Sequence, residues 1–297
     1  MKAVRIAVLL TIAAFLALGT AVARADWDVG DVHKMHYPQL PDPNGWDVAF
    51  YSEWSPPGPP VVGGEFWTAR GLADDWQCSG TGPVEDIHFW VSMKGDLNEP
   101  EPVPFTIMSL RATIYLDIPA DPADPDSYSR PDRDPEKVQW QRTFQQSQIE
   151  VRHWASSPQA WFEPAEPPSG YTIEQDHEHI YQVNLEKIED AFVQQDGTIY
   201  WLEIDWVEAE DVAAEAVDLG WKTALLEGNP PSHFMDDAVY YHTLWLGDLV
   251  DSSDEPLELG GHSRDFAFVI TPEPATLALM GLGVAGLVAT RRRRRRE

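Results

Sequence analysis

The chain has 297 residues, 49 Asp+Glu against 21 Lys+Arg, a formal charge of −28, and one cysteine. Such a charge repels nucleic acid and anionic membrane surfaces, and a lone Cys78 excludes an intramolecular disulfide. Nine of the 21 Lys+Arg lie in the two tails (Lys2, Arg5, Arg24 and Arg291 to Arg296) against two of the 49 Asp+Glu (Glu273, Glu297), leaving 12 against 47 in between. That central part, near −35, suits cations or neutral polar partners such as glycans, and most of its carboxylates read as a solvated acidic surface.

The N-terminus has the parts of a signal peptide predicted as a helix. Lys2 and Arg5 are the basic region, Ile6 to Leu18 the apolar core, and Ala23-Arg24-Ala25 the small-residue cleavage site, so residues 1–25 are removed and the mature chain starts at Asp26. Residues 26–271 then form one acidic ectodomain.

Its first part, 26–82, is rich in Pro, Gly, Asp and Trp without a sustained period, and is predicted as a loop-rich aromatic arm packed on the rest. A disordered linker would be poor in the aromatics found here, among them Trp27, Trp46, Trp54, Trp67 and Trp76.

Strands dominate after the arm. Alternation predicts them at Ile87–Val91, Met108–Leu116, Val138–Phe144, Ile149–His153, Tyr181–Leu185 and Thr198–Val207, with further candidates at Leu219–Leu225, Ala238–Leu246 and Phe266–Ile270. Asp117–Glu136 is the longest irregular stretch, and Ala209–Val217 reads as a short helix or a loop. About nine strands divided by turn residues predict an all-β chain, an antiparallel β-sandwich of jelly-roll-like form with long loops.

At the C-terminus stand Pro272-Glu273-Pro274, then Ala275 to Thr290 without a charge, then Arg291, Arg292, Arg293, Arg294, Arg295 and Arg296. Sixteen residues of helix (275–290) cover roughly 24 Å, a little short of a bilayer core, a gap that snorkelling arginines close. The arginines fix this transmembrane helix with its basic end cytoplasmic. Gly281-x-Gly283-x-x-Gly286 matches a dinucleotide fingerprint in spelling only, because no βαβ unit surrounds it.

This tail closely resembles the PEP-CTERM sorting signal of bacterial surface proteins. The resemblance implies recognition by exosortase, a membrane enzyme that removes the tail near Pro272-Glu273-Pro274 and delivers the ectodomain to the cell surface or biofilm matrix, often among exopolysaccharide. The alternative is a single-span anchor that is never cut. In the ectodomain, Lys34-Met35-His36-Tyr37-Pro38-Gln39-Leu40-Pro41-Asp42-Pro43-Asn44-Gly45-Trp46-Asp47-Val48, Asp74-Asp75-Trp76-Gln77-Cys78 and Gly220-Trp221-Lys222-Thr223 resemble an uncharacterised β-rich domain of exported proteins. That resemblance implies a fold and transfers no catalytic residue.

Candidate sites are sparse. Asp74-Asp75 and Asp236-Asp237 are each followed by hydrophobic sequence, so one Asp of each pair either caps a turn or binds a cation such as Ca²⁺. The Asp-rich stretch 117–134 lacks the order of an EF-hand loop and reads as a solvated insertion. His177-x-His179 lies on one face of a strand without zinc-protease spacing. Trp27, Trp46, Trp54 and Trp67 are either glycan-stacking platforms or core. With 47 carboxylates, choosing a hydrolytic pair is uninformative. The expected role is that of a surface or matrix protein without catalysis, with no cofactor and no nucleic acid; a carbohydrate-binding module for exopolysaccharide and a polysaccharide hydrolase are the alternatives.

Overall fold

The structure is a computed structural model that describes residues 26–50, 65–124, 127–164, 171–186, 188–225, 237–246 and 249–271. The chain divides into two compact units, Val29–Pro272 and Met1–Asp28 with Glu273–Glu297. The predicted signal helix with Ala23 and Ala25, and the C-terminal helix with Pro272, Glu273, Pro274 and the arginines, lie outside the described residues. Among the described residues no helix is long and apolar enough to cross a membrane.

The first unit is all-β. In chain order its described strands begin with β1 (Trp46–Ala49), β2 (Glu65–Gln77), β3 (Gly82–Pro83), β4 (Asp86–Met93), β5 (Phe105–Ile118) and β6 (Arg130–Pro131). Then come β7 (Trp140–Gln145), β8 (Ile149–Glu163), β9 (Tyr171–Leu185), β10 (Val193–Gln194), β11 (Ile199–Asp211) and β12 (Leu219–Lys222). The last are β13 (Val239–Leu246), β14 (Leu249–Pro256), β15 (Glu258–Leu259), β16 (His262–Ser263) and β17 (Phe268–Thr271). Ala209–Val217, open between helix and loop in the sequence, is the end of β11 and a turn.

One sheet runs β12-β1-β8-β9-β4-β17, and β12 also pairs with β4, so the pairing closes on itself. The long β8–β9 hairpin makes this possible. One end lies beside β4 (Ile87↔Leu185), and the other carries β1 in parallel (Asp47↔Trp161). Register shifts after His153, Ser156 and Gln159 bend it between those partners, as bulges do. β12 then bridges the gap, with Lys222 opposite Asp47 and Trp221 opposite Val91.

The other main sheet runs β14-β13-β2-β11-β5-β6, with β7 also on β5. The expectation of an arm over 26–82 is corrected here. Glu65–Gln77 is a 13-residue strand between β13 and β11, inside the sheet. Its alternation is masked because buried Asp74 and Asp75 sit where apolar residues would be read.

Aromatics hold the sheets together. Trp221 stacks on Phe266 at 4.6 Å and meets Phe50, Phe89 and Phe268, while its Nε1–H donates to Ala267 O. Trp76 of β2 meets Phe268 of β17 edge to face, joining one sheet to the other. The far face of the second sheet carries Ala73, Tyr115, Trp201 and Val239 beneath Tyr128 and Val138. The segment between β5 and β7, expected as a solvated insertion, is exposed over 119–124 and 134–137 but pinned elsewhere among the described residues. Trp201 Nε1–H and Ser129 Oγ–H both donate to Asp117, and Tyr128 O–H donates to Asp254 O.

Candidate functional site

Two charged constellations are built by the fold. On β11, Glu203 and Asp205 lie two residues apart, hence on one face of the strand, and both are buried. Arg133 reaches in to pair with Glu203 and Asp254, its guanidinium 4.5 Å above the Tyr241 ring. Tyr115 O–H donates to Glu203 Oε1 at 3.1 Å. Arg111 forks onto both oxygens of Asp205 and covers Trp206, which adopts φ 53° at the bulge where β11 shifts register against β5. Burial pushes the Asp205 carboxyl up to about 7, helped by Glu203 and opposed by Arg111.

The second constellation sits where β1, β8, β9 and β12 meet. Asp47 Oδ2 accepts from His177 Nε2–H at 2.8 Å and from Lys222 Nζ at 2.9 Å, and all three side chains have no solvent exposure. Lys222 also donates to Trp46 O at 3.2 Å. The Trp161 ring stands edge-on to His177 at 5.6 Å, and Gly220 leaves the space that ring fills. Burial drives the Lys222 amine below its ordinary value despite Asp47. Burial also raises the Asp47 carboxyl, but Lys222 and His177 outweigh it and hold the group below its ordinary range.

The predicted site residues scatter. Asp74 and Asp75 lie inside β2, so neither caps a turn. Asp74 accepts the Phe266 N–H at 2.5 Å and the Asp75 N–H at 2.8 Å. Burial, with Asp265 and Asp75 nearby, raises its carboxyl well above the ordinary range. Asp237 accepts from Ser263 Oγ–H, and Asp236 lies outside the described residues. No group of three or more His, Cys, Asp or Glu is placed to hold a metal among the described residues.

Trp27 is 3 % exposed, so its ring offers no stacking face. Trp46 is half-buried, and Trp54 and the side chain of Trp67 lie outside what is described. His177 joins Asp47, while His179 Nδ1 lies 2.8 Å from Ser156 Oγ, so the two imidazoles do not share a ligand position. A cleft of about 740 Å³ opens between the start of β5, β7 and the start of β8, with Arg142, Gln148, Glu150 and Glu189 around Phe105 and Ile149. None of these stood out in the sequence as a site residue, since Arg142 and Ile149 read only as strand positions and strand pairing brings the group together.

Residues 35–271 match a family described as Domain of unknown function (DUF7901), and residues 271–295 match the PEP-CTERM protein-sorting motif. The chain belongs to the DUF7901 family. The sorting motif marks the chain as an exported protein that passes through the membrane to the cell surface and is processed by exosortase. No curated protein and no solved structure matches the chain.

Proposed function

We propose that this DUF7901 chain is a non-catalytic surface or matrix protein, whose membrane-anchored precursor is cut near Pro272-Glu273-Pro274. The observation that carries the reading is the sorting motif following directly on the family domain. Its buried carboxylates support a scaffold over a hydrolase. Glu203, Asp254 and Asp205 are engaged by Arg133 and Arg111 instead of flanking an open cleft at carboxylate-pair spacing. The two main sheets, joined at Trp76 and Phe268, fit a β-sandwich of jelly-roll-like outline. Intact mass of protein recovered from the producing cells tests the processing, and Arg291 to Arg296 retained in all material would refute it.

A second reading is a saccharide-binding module, favoured by the cleft of about 740 Å³ whose lining combines polar side chains with Phe105 and Ile149. A glycan array on the exported protein tests it. Binding lost in a Gln148→Ala, Glu150→Ala double variant supports this cleft, and an array without a hit removes the reading.

A further inference from the structure

We propose that Lys222 and Asp47 become joined by a side-chain amide, an intramolecular cross-link formed by the folded chain itself. The geometry points there in several independent ways. The two residues face each other across the β1–β12 ladder, so the backbone fixes their approach. Nζ lies 2.9 Å from Oδ2, and neither side chain has any solvent exposure. Bulk water is therefore excluded from the pair, and with it the solvent that normally holds both groups ionised and favours hydrolysis of an amide. Burial holds the Lys222 amine below its ordinary value, which favours the free amine needed as a nucleophile.

The two carboxyl oxygens are distinguished. Oδ2 receives both Lys222 Nζ and His177 Nε2, while Oδ1 has no hydrogen-bond partner among the described residues. In the condensation the Lys222 ammonium first passes one proton to Asp47 Oδ2, 2.9 Å away, and the freed Nζ lone pair then attacks Cγ of the neutral acid, forming the C–N bond. His177 Nε2–H, at 2.8 Å, gives its proton to Oδ2 as the Cγ–Oδ2 bond breaks. A proton from nitrogen returns to His177, one water leaves, and Oδ1 remains as the amide oxygen. Ammonium plus carboxylate gives amide plus water, so atoms and charge balance and no oxidant or co-reactant is needed.

The link also suits the chain's compartment. An exported protein whose only cysteine is buried Cys78 has no disulfide available to it. A bond between β1 and β12 would lock the strand pair that closes the first sheet, and would restrain the unfolded chain as a long-loop cross-link does.

Tryptic mapping of the denatured wild-type protein tests this. Lys34, Arg70, Lys187 and Arg264 bound the two peptides that hold Asp47 and Lys222, with no other Lys or Arg inside either except Lys222 itself. The expected product is a branched peptide, Met35–Arg70 joined to an uncut Ile188–Arg264, lighter than the sum by one water. A Lys222→Arg chain must give separate peptides, cut after position 222. The proposal is overturned if wild-type protein yields free Met35–Arg70 and complete cleavage after Lys222. Because wild-type material decides the question, a variant that fails to fold does not leave it open. For the acid, His177→Gln should slow the gain of the branched peptide at least tenfold, and linkage at the wild-type rate would refute that role.

Discussion

Stability should fall as pH rises from 5 to 8, the reverse of ordinary acid denaturation. Asp205 is 3 % exposed, and its carboxyl moves from an ordinary 3.8 to about 7 in the folded chain. Folded protein therefore holds this proton more tightly than unfolded protein does. The resulting stabilisation is complete below about pH 4 and is lost as pH rises through about 7. Between pH 5 and 8 the loss from this one group is on the order of 2–3 kcal/mol. Asp74, Asp96, Glu163 and Asp254, all raised first by burial, act in the same direction. The lowered Asp47 carboxyl opposes them only below its ordinary 3.8, outside this window. Urea unfolding of the full chain at several pH values measures the slope. With a urea dependence near 2–3 kcal/mol per molar, the midpoint should drop by about 1 M from pH 5 to 8. Asp205→Asn keeps the shape beside Arg111 but cannot titrate, so it should flatten the profile by that amount. A wild-type midpoint that is constant or rises with pH, or a slope unchanged in Asp205→Asn, would refute the reasoning.

Three further outcomes follow from packing. Arg133→Met leaves Glu203 and Asp254 buried without their cation and should cost about 3–5 kcal/mol, read as a lower urea midpoint. Gly220→Ala would set a Cβ 2.8 Å from the Trp161 ring and 3.0 Å from Asp47 Cβ, for a loss of about 1–3 kcal/mol in the same assay. Cys78 is 1 % exposed, with its thiol raised chiefly by burial and bonded to Gly80 O, so a thiol reagent should modify it only in denaturant.

Local pattern carried much of the fold. Period-two alternation in Met108–Leu116 and Thr198–Val207 marks β5 and β11 within a few residues of their ends, because each has one apolar face. β2 escaped that rule because Gly71 and the Asp74-Asp75 pair interrupt it. Those residues fit only through distant partners, Gly71 against the Glu203 side chain and Asp74 beneath the Phe266 N–H. The Asp47–His177–Lys222 group was less legible still. Its members are separated by 130 and 175 residues, and only strand register brings them together. One local cue existed in Lys222, a cation immediately after fully buried Trp221 in a four-residue strand with no exposed position. A lysine with no route to solvent demands a buried counter-charge, but the sequence offers many carboxylates and cannot choose among them.

The placement of the scarce cations links the interior to the surface. Between the tails the chain has only 12 Lys+Arg, yet Lys222 and Arg264 are buried, and Arg133 and Arg111 are spent on buried carboxylates. Three of them tie elements together: Lys222 joins β12 to β1, Arg111 joins β5 to β11, and Arg133 joins the segment after β6 to β11 and β14. More carboxylates than cations are buried with them, yet most of the chain's Asp and Glu stay outside and the surface remains strongly acidic. An exported protein without disulfides thus gains internal ties from its ionic residues while its surface repels other copies of itself. Specificity of strand pairing, more than net stability, is what such buried pairs supply here, since each ion must first be taken out of water.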